Sequence, residues 1–242
     1  MDNVTRIYHK HEIVTAILVD GGFYRKRAKY FWGEKNPSER ADELWNYCIR
    51  LLNNKREYRN LYRIFYYDCP PSDKTVYNPI TKKSVDLKRS DEYKWTNEFF
   101  QQLKSKRKVA LRMGRLSENT LTYNLKYDTF KKLMNGSIKT EDLSESDLKL
   151  NIEQKGVDMK IGIDICSLAL KHQVNQIILI SGDSDFVPAA KQARREGIDF
   201  ILAPMGATIK PDLHEHIDGL INNITKNSTE ENTESDKNLM TV

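Results

Sequence analysis

Cysteine is scarce in this chain of 242 residues. The three present, Cys48, Cys69 and Cys166, are odd in number, widely spaced and form no CxxC pair. That argues against a disulfide framework and suits a reducing compartment, so a cytoplasmic protein is expected. Long apolar runs are missing too. None approaches the roughly 20 residues that span a bilayer, and no membrane partner is expected. The opening "MDNVTRIYHKHEIV" has no apolar stretch behind a basic start, so no signal peptide is expected. Three chemical signatures are absent as well. Without GxGxxG spacing or a P-loop, dinucleotide and Walker-type nucleotide binding lose their support. Without GxSxG, Ser181 and Ser184 are not nucleophile candidates. His214 and His216 lie two apart, but no cysteine or further histidine accompanies them as zinc ligands. No internal repeat is visible.

What the chain does have is charge, with 30% of residues Asp, Glu, Lys or Arg and a formal net charge of +5. The last stretch, 226–242, sets Lys226 and Lys237 against Glu230, Glu231, Glu234 and Asp236, a net of −2. The remaining 225 residues therefore carry +7, a balance that permits nucleic-acid binding without establishing it.

Short apolar runs bounded by turn residues predict buried strands at 13–19, 61–67, 177–182 and in "IDFILAP" after Gly197. Helical spacing of Leu44, Tyr47, Cys48, Leu51 and Leu52 predicts a helix over 41–56. A second is predicted over 186–196, with Pro188 tolerated in its first turn and Gly197 closing it, and a last one over 212–224. Strands alternating with helices over short connections predict an α/β fold with a mostly parallel central sheet flanked by helices. The segment 70–150 breaks that rhythm and is read as an insertion between the second and third core strands. Within it 91–108 and 126–134 are helical and "VALRMGRL" strand-like. The domain thus covers 1–225, and 226–242 reads as a disordered polar tail.

Open α/β sheets bind ligands beyond the carboxyl ends of their strands. Asp20 follows the first predicted strand, and Asp183 and Asp185 follow the third. Asp158 falls in the first turn of a helix that starts after Gly156. Any one of these has a plain alternative, as a helix cap or turn residue. Four together at strand and helix ends point to a shared crevice. Clustered carboxylates repel one another, and a hard divalent ion such as Mg²⁺ or Mn²⁺ relieves that. Such ions serve phosphoryl transfer and phosphodiester cleavage. Asp164, six residues after Asp158, shares no helix face with it and ranks lower.

The stretches "ILVDGGFY" (17–24), "QKGVDMKIGIDI" (154–165) and "LISGDSDFVPAAKQARREG" (179–197) resemble the bacterial NYN-domain proteins of the PIN-like nuclease superfamily. "FYYDCPP" and "VALRMGRL" resemble a bacterial branch of the group. The resemblance implies a Rossmann-like PIN fold and a Mg²⁺ or Mn²⁺ cofactor. It also implies metal-dependent cleavage of RNA, with Asp20, Asp158, Asp183 and Asp185 as the catalytic and metal-holding acids. It departs from the group at Asp20-Gly21-Gly22-Phe23, where many members carry an asparagine shortly after the first aspartate.

Basic residues near these motifs are candidate phosphate contacts: Arg25 and Lys26 beside the first acid, Lys155 beside Asp158, and Arg112 and Arg115 in the strand-like run. RNA is the expected partner, with a homodimer left open. Two alternatives stand beside a metal-dependent endoribonuclease. One is a catalytically silent RNA-binding or regulatory module on the same fold. The other, a haloacid-dehalogenase type phosphatase, needs a second aspartate two residues after the first, where this chain has Gly22.

Overall fold

Ile13–Asp20 (β1) is apolar but for Thr15 and the closing Asp20, and its residues alternate between two buried faces. Ala16 and Leu18 point to one side of the sheet, Ile17 and Val19 to the other. The same alternation recurs in Arg59–Asp68 (β2) and Gln176–Ile180 (β10), which flank β1 on either side. In the computed structural model, residues 12–53, 58–117, 121–222 and 224 are described. The polar stretch 226–242 lies outside them.

The chain runs from β1 through helices Gly21–Trp32 (α1) and Pro37–Leu52 (α2) to β2, then through a hairpin of Thr75–Asn78 (β3) and Lys83–Asp86 (β4). Helix Asp91–Ser105 (α3) leads to Val109–Met113 (β5). Two short strands, Arg115–Leu116 (β6) and Thr122–Leu125 (β7), precede helix Tyr127–Met134 (α4). Leu148–Asn151 (β8) and Gln154–Lys155 (β9) pair back antiparallel onto β7 and β6. Helix Val157–Leu170 (α5), β10, helix Val187–Arg195 (α6), Asp199–Leu202 (β11), helix Pro211–Glu215 (α7) and Gly219–Leu220 (β12) complete the order.

The central sheet has six strands in the order β12-β11-β10-β1-β2-β5, every pair parallel. Helices α1, α2 and α3 cover the face of Ile17, Val19, Ile64, Tyr66, Ile178 and Ile180. Helices α5 and α6 cover the face of Ala16, Leu18, Phe65, Tyr67, Ile177 and Leu179. Each fully buried Ile, Leu or Phe adds roughly 1.5–3 kcal/mol, so the two apolar layers hold the sheet between them. From β1 the chain first builds outward through β2 to β5, then returns to build outward the other way through β10, β11 and β12. The topological switch point therefore lies between the carboxyl ends of β1 and β10, where open α/β sheets form their ligand crevice.

Two expectations are revised. Part of the segment 70–150 continues the α/β rhythm, because α3 crosses over and β5 pairs parallel with β2 at the sheet edge. The elaboration proper is the β3–β4 hairpin and the stretch from β6 to β9. The single helix predicted over 212–224 is only α7, followed by β12. Asp218 ends the helix by pairing with the sheet edge: its carboxylate accepts the Phe200 N–H at 2.9 Å, and its own N–H donates to the Phe200 carbonyl at 2.8 Å. Gly219 then lies against Ile201, close enough that a Cβ would sit 3.3 Å from Cγ1 of that side chain. No described helix is long and apolar enough to cross a membrane.

Candidate functional site

Parallel pairing brings three strand ends to one edge. Asp20 is the last residue of β1 and stands opposite Tyr67 of β2, so Asp68 lies one step further along. On the other side Val19 stands opposite Ile180, which puts Ser181 beside Asp20. The Ser181 hydroxyl donates to Asp20 Oδ2 at 3.2 Å. Asp20 Oδ1 accepts the Phe23 N–H at 3.1 Å and caps α1. The cap and site roles are thus compatible in one carboxylate, each oxygen keeping a second lone pair.

Gly21 makes this approach feasible. A Cβ there would lie 2.5 Å from the Tyr67 carbonyl and 2.6 Å from the Tyr66 ring and hydroxyl. No side chain fits at position 21, so the first turn of α1 packs directly on β2. Position 23, within the turn, is Phe23, whose ring sits 3.0 Å from where a Cβ on Gly182 would be. An aromatic contact between the first and third motifs therefore stands in the loop that lacks asparagine.

Asp183 ends the β10 connection and caps a short 3₁₀ turn, Ser184–Phe186, its Oδ1 accepting the Asp185 N–H at 3.0 Å. Asp185 lies within that turn, and Lys210 donates to the neighbouring Ser184 hydroxyl at 3.1 Å. Across the crevice Gly156, in the left-handed region at φ 80°, starts α5, and Asp158 occupies its first turn. Burial, followed by repulsion from Asp183 and Asp185, raises the Asp158 carboxyl above its usual range. Burial is also the main influence raising Asp20, opposed by its two hydrogen bonds and reinforced by Asp158 and Asp68. Asp158 thus feels the charges of Asp183 and Asp185, and Asp20 feels that of Asp158, which links the four acids in one neighbourhood. Among the described residues neither Asp20 nor Asp158 has a cationic partner.

The donor chemistry suits a hard divalent ion, since every group offered is a carboxylate oxygen. Among the described residues, however, no three His, Cys, Asp or Glu side chains stand close enough to hold an ion together. Mg²⁺ dehydrates reluctantly and is commonly held by one or two carboxylates with several waters retained. The crevice fits that hydrated mode rather than a closed protein cage.

Asp68 was missed in the sequence, where "DCPPSD" reads as a turn. It is fully buried and accepts from the Tyr66 hydroxyl at 3.1 Å and the Cys69 N–H at 2.8 Å. Arg25 approaches it to 3.2 Å and reaches Glu92 of α3 at 3.4 Å. Burial still raises the Asp68 carboxyl despite Arg25. Burial and Asp68 together push the neighbouring Cys69 thiol up to about 11, so it stays protonated and is no nucleophile at neutral pH. The signal that marks Asp20, an aspartate closing an apolar strand, marks Asp68 equally.

The basic candidates divide into three groups. Arg25 and Lys26 join Lys29, Glu92, Trp95 and Gln154 in lining an open cavity of about 520 Å³ that starts beside Gly22. Arg25 Nε itself is buried, and among the described residues it has no hydrogen-bond partner. Arg115 and Lys155 face each other in the β6–β9 ladder, next to the start of α5, and Lys155 reaches Glu153 at 3.6 Å. Arg112, expected to turn into the acidic cleft, instead pairs with Asp164 at 3.1 Å and lies over the Phe65 ring at 4.9 Å. The reason is register: Arg112 stands opposite Tyr67, on the α5 side of the sheet, and the Tyr67 hydroxyl donates to the same Asp164 at 2.8 Å.

No curated protein matches the chain significantly. A solved structure, a protein of unknown function designated VPA0982 from Vibrio parahaemolyticus RIMD 2210633, is 14% identical over 87% of this chain and 93% of that one, with a TM-score of 0.44. The family model described as NYN domain matches residues 15–222, which span all six strands of the sheet and all four acids of the crevice. The chain belongs to the NYN domain family, within the PIN-like nuclease superfamily.

Proposed function

We propose that the protein is an endoribonuclease that hydrolyses RNA phosphodiester bonds with Mg²⁺ or Mn²⁺. The observation that carries this is the gathering of Asp20, Asp158, Asp183 and Asp185 at the switch point of the sheet. There burial first, and neighbouring acids second, raise the proton affinity of Asp20 and Asp158, and among the described residues neither is paired with a cation. Groups arranged at such a cost to folding are a signature of a working site. Asp20 and Asp183 are the residues assigned to hold the ion. Asp158 and Asp185, on opposite rims, would hold its waters. The ion, when bound, supplies an activated water and neutralises charge on the phosphodiester.

The chain's own groups do the rest. The hydrogen bonds from Phe23 N–H and Ser181 fix the orientation of Asp20 before any substrate arrives. Arg25, anchored by Asp68, and Lys26 on the next exposed position hold phosphates along the groove beside Gly22. Arg115 and Lys155 add positive charge at the α5 rim. Arg112 is left out of the substrate contacts, because Asp164 holds it.

A catalytically silent RNA-binding module is the second reading. It is favoured by one observation, that among the described residues no three acids are close enough to share an ion. Incubating total RNA with the purified protein, with Mg²⁺ or Mn²⁺ against EDTA, separates the two. The nuclease reading expects fragments that require the metal and vanish in Asp183→Asn. Intact RNA under every condition, with retained RNA binding, would establish the silent module instead.

A further inference from the structure

Beside the phosphate groove lies a second cavity, of about 340 Å³, that the nuclease chemistry does not use. Ligand pockets run from roughly 300 to 1,000 Å³, so this one suits a single small ring system. Its walls are apolar: Pro70 from the β2 exit, Leu87 from the turn before α3, Tyr93 in the first turn of α3, and Leu116, Leu150 and Ile152 from the β6–β9 elaboration. Such a chamber next to a phosphate groove is the shape needed to receive one unstacked base.

The few polar groups define which base. Arg25 and Glu92 line both this cavity and the phosphate groove, so they stand between base and backbone. Glu92 Oε1 takes weak bonds from Arg25 at 3.4 Å and Thr96 at 3.3 Å, leaving Oε2 to accept. Gln154 is bonded through its side chain to the Asp68 carboxylate; that uses its amide N–H and leaves its carbonyl oxygen as an acceptor. Arg25 lines the cavity and supplies guanidinium donors. The cavity thus offers donors on one side and carboxylate or amide acceptors on the other.

Guanine matches this set. Its pairing edge carries one acceptor, O6, beside two adjacent donors, N1–H and the N2 amine. Cytosine turns two acceptors toward the carboxylate, uracil has a single donor between two acceptors, and adenine lacks the second donor. Each of these sets an acceptor against the carboxylate or leaves it without a second donor. We infer that the elaboration after β2 builds a guanine pocket, in which Glu92 reads the base of an unpaired guanosine whose phosphate rests on Arg25 beside the acidic crevice. This rests on the reading of that crevice as an RNA-cleaving site and adds its sequence preference.

The test has two arms. In the first, binding of the four nucleoside 5′-monophosphates is measured by calorimetry or by amide shifts. The phosphate is common to all four, so differences report the base. GMP is expected to bind at least about tenfold more tightly than AMP, CMP or UMP, the discrimination one bidentate base contact supplies. Glu92→Gln, at an exposed position, removes that preference, and Leu150→Trp fills the cavity and blocks GMP. In the second arm, otherwise identical oligoribonucleotides with one unpaired G, A, C or U are cleaved in Mn²⁺. Cleavage is expected to be fastest next to G and to lose that bias in Glu92→Gln. Equal binding of all four nucleotides, or none, together with unbiased cleavage overturns the guanine pocket while leaving the nuclease reading intact. Selective GMP binding without any RNA cleavage upholds the pocket and overturns the nuclease reading.

Discussion

Two adjacent glycines give opposite predictions when each is replaced by alanine. At Gly21 the new methyl would lie 2.5 Å from a backbone carbonyl and 2.6 Å from the Tyr66 ring, which is fully buried and bonded through its hydroxyl to Asp68. Neither neighbour is the free end of a flexible side chain, so α1 or β2 has to move. Overpacking of this kind costs roughly 1–3 kcal/mol, and the rigid partners place Gly21→Ala at the top, near 3 kcal/mol. At Gly22 the methyl would meet only Asp20 Oδ1, at 3.6 Å, an ordinary contact within a helix. There the loss of unfolded-chain freedom should stabilise by roughly 0.4–1 kcal/mol. For a chain of this size each kcal/mol moves the melting temperature by about 2–4 °C. Thermal unfolding followed by circular dichroism should therefore show Gly21→Ala about 6–12 °C below the wild type and Gly22→Ala about 1–4 °C above it. A Gly21→Ala protein that melts with the wild type would refute the close packing of α1 on β2, and with it the placement of Asp20.

The acids make a pH prediction. Asp20 has a folded-state pKa raised above its ordinary 3.8, mainly by burial. Its favourable contribution is therefore present below that ordinary value and is lost as pH rises through the raised one. Asn caps a helix as well as Asp does, so Asp20→Asn should melt higher than the wild type at pH 7, with the gap closing toward pH 4. Mn²⁺ should raise the melting temperature of the wild type and leave Asp20→Asn unmoved, measured by the same scans. Arg25→Ala removes the cation beside the fully buried Asp68. It should cost about 3–5 kcal/mol in urea unfolding at neutral pH, and adding Asp68→Asn should recover part of that loss.

The legible parts of the fold are those whose pattern is local. Strands β1, β2, β10 and β11 are short apolar runs closed by turn residues because both of their faces are buried, and that leaves its mark residue by residue. The acids after β1 and β10 and at the start of α5 follow from the strand ends and the helix start. Less was visible where contacts far apart in sequence decide. Strand β5 is half-buried at the sheet edge and carries a weaker pattern, and β12 has two residues and no period at all. Asp68 hid in a proline-rich turn. Arg112 was misplaced because only the register with Tyr67 tells which face of the sheet it takes. The pocket of Glu92 joins Arg25 and residues of 69–96 to residues of 116–154, and no one stretch alone announces it.

The chemistry assigned to the crevice, attack by a water on phosphorus, is read most directly from the ends of the fragments. A labelled RNA oligonucleotide cleaved by the wild type in Mn²⁺ should leave ends without a cyclic phosphate, and none of these products should form in EDTA or with Asp183→Asn. Fragments that end in a 2′,3′-cyclic phosphate, formed equally well in EDTA, would show that the ribose hydroxyl is the nucleophile and that the gathered aspartates do not hold a catalytic ion.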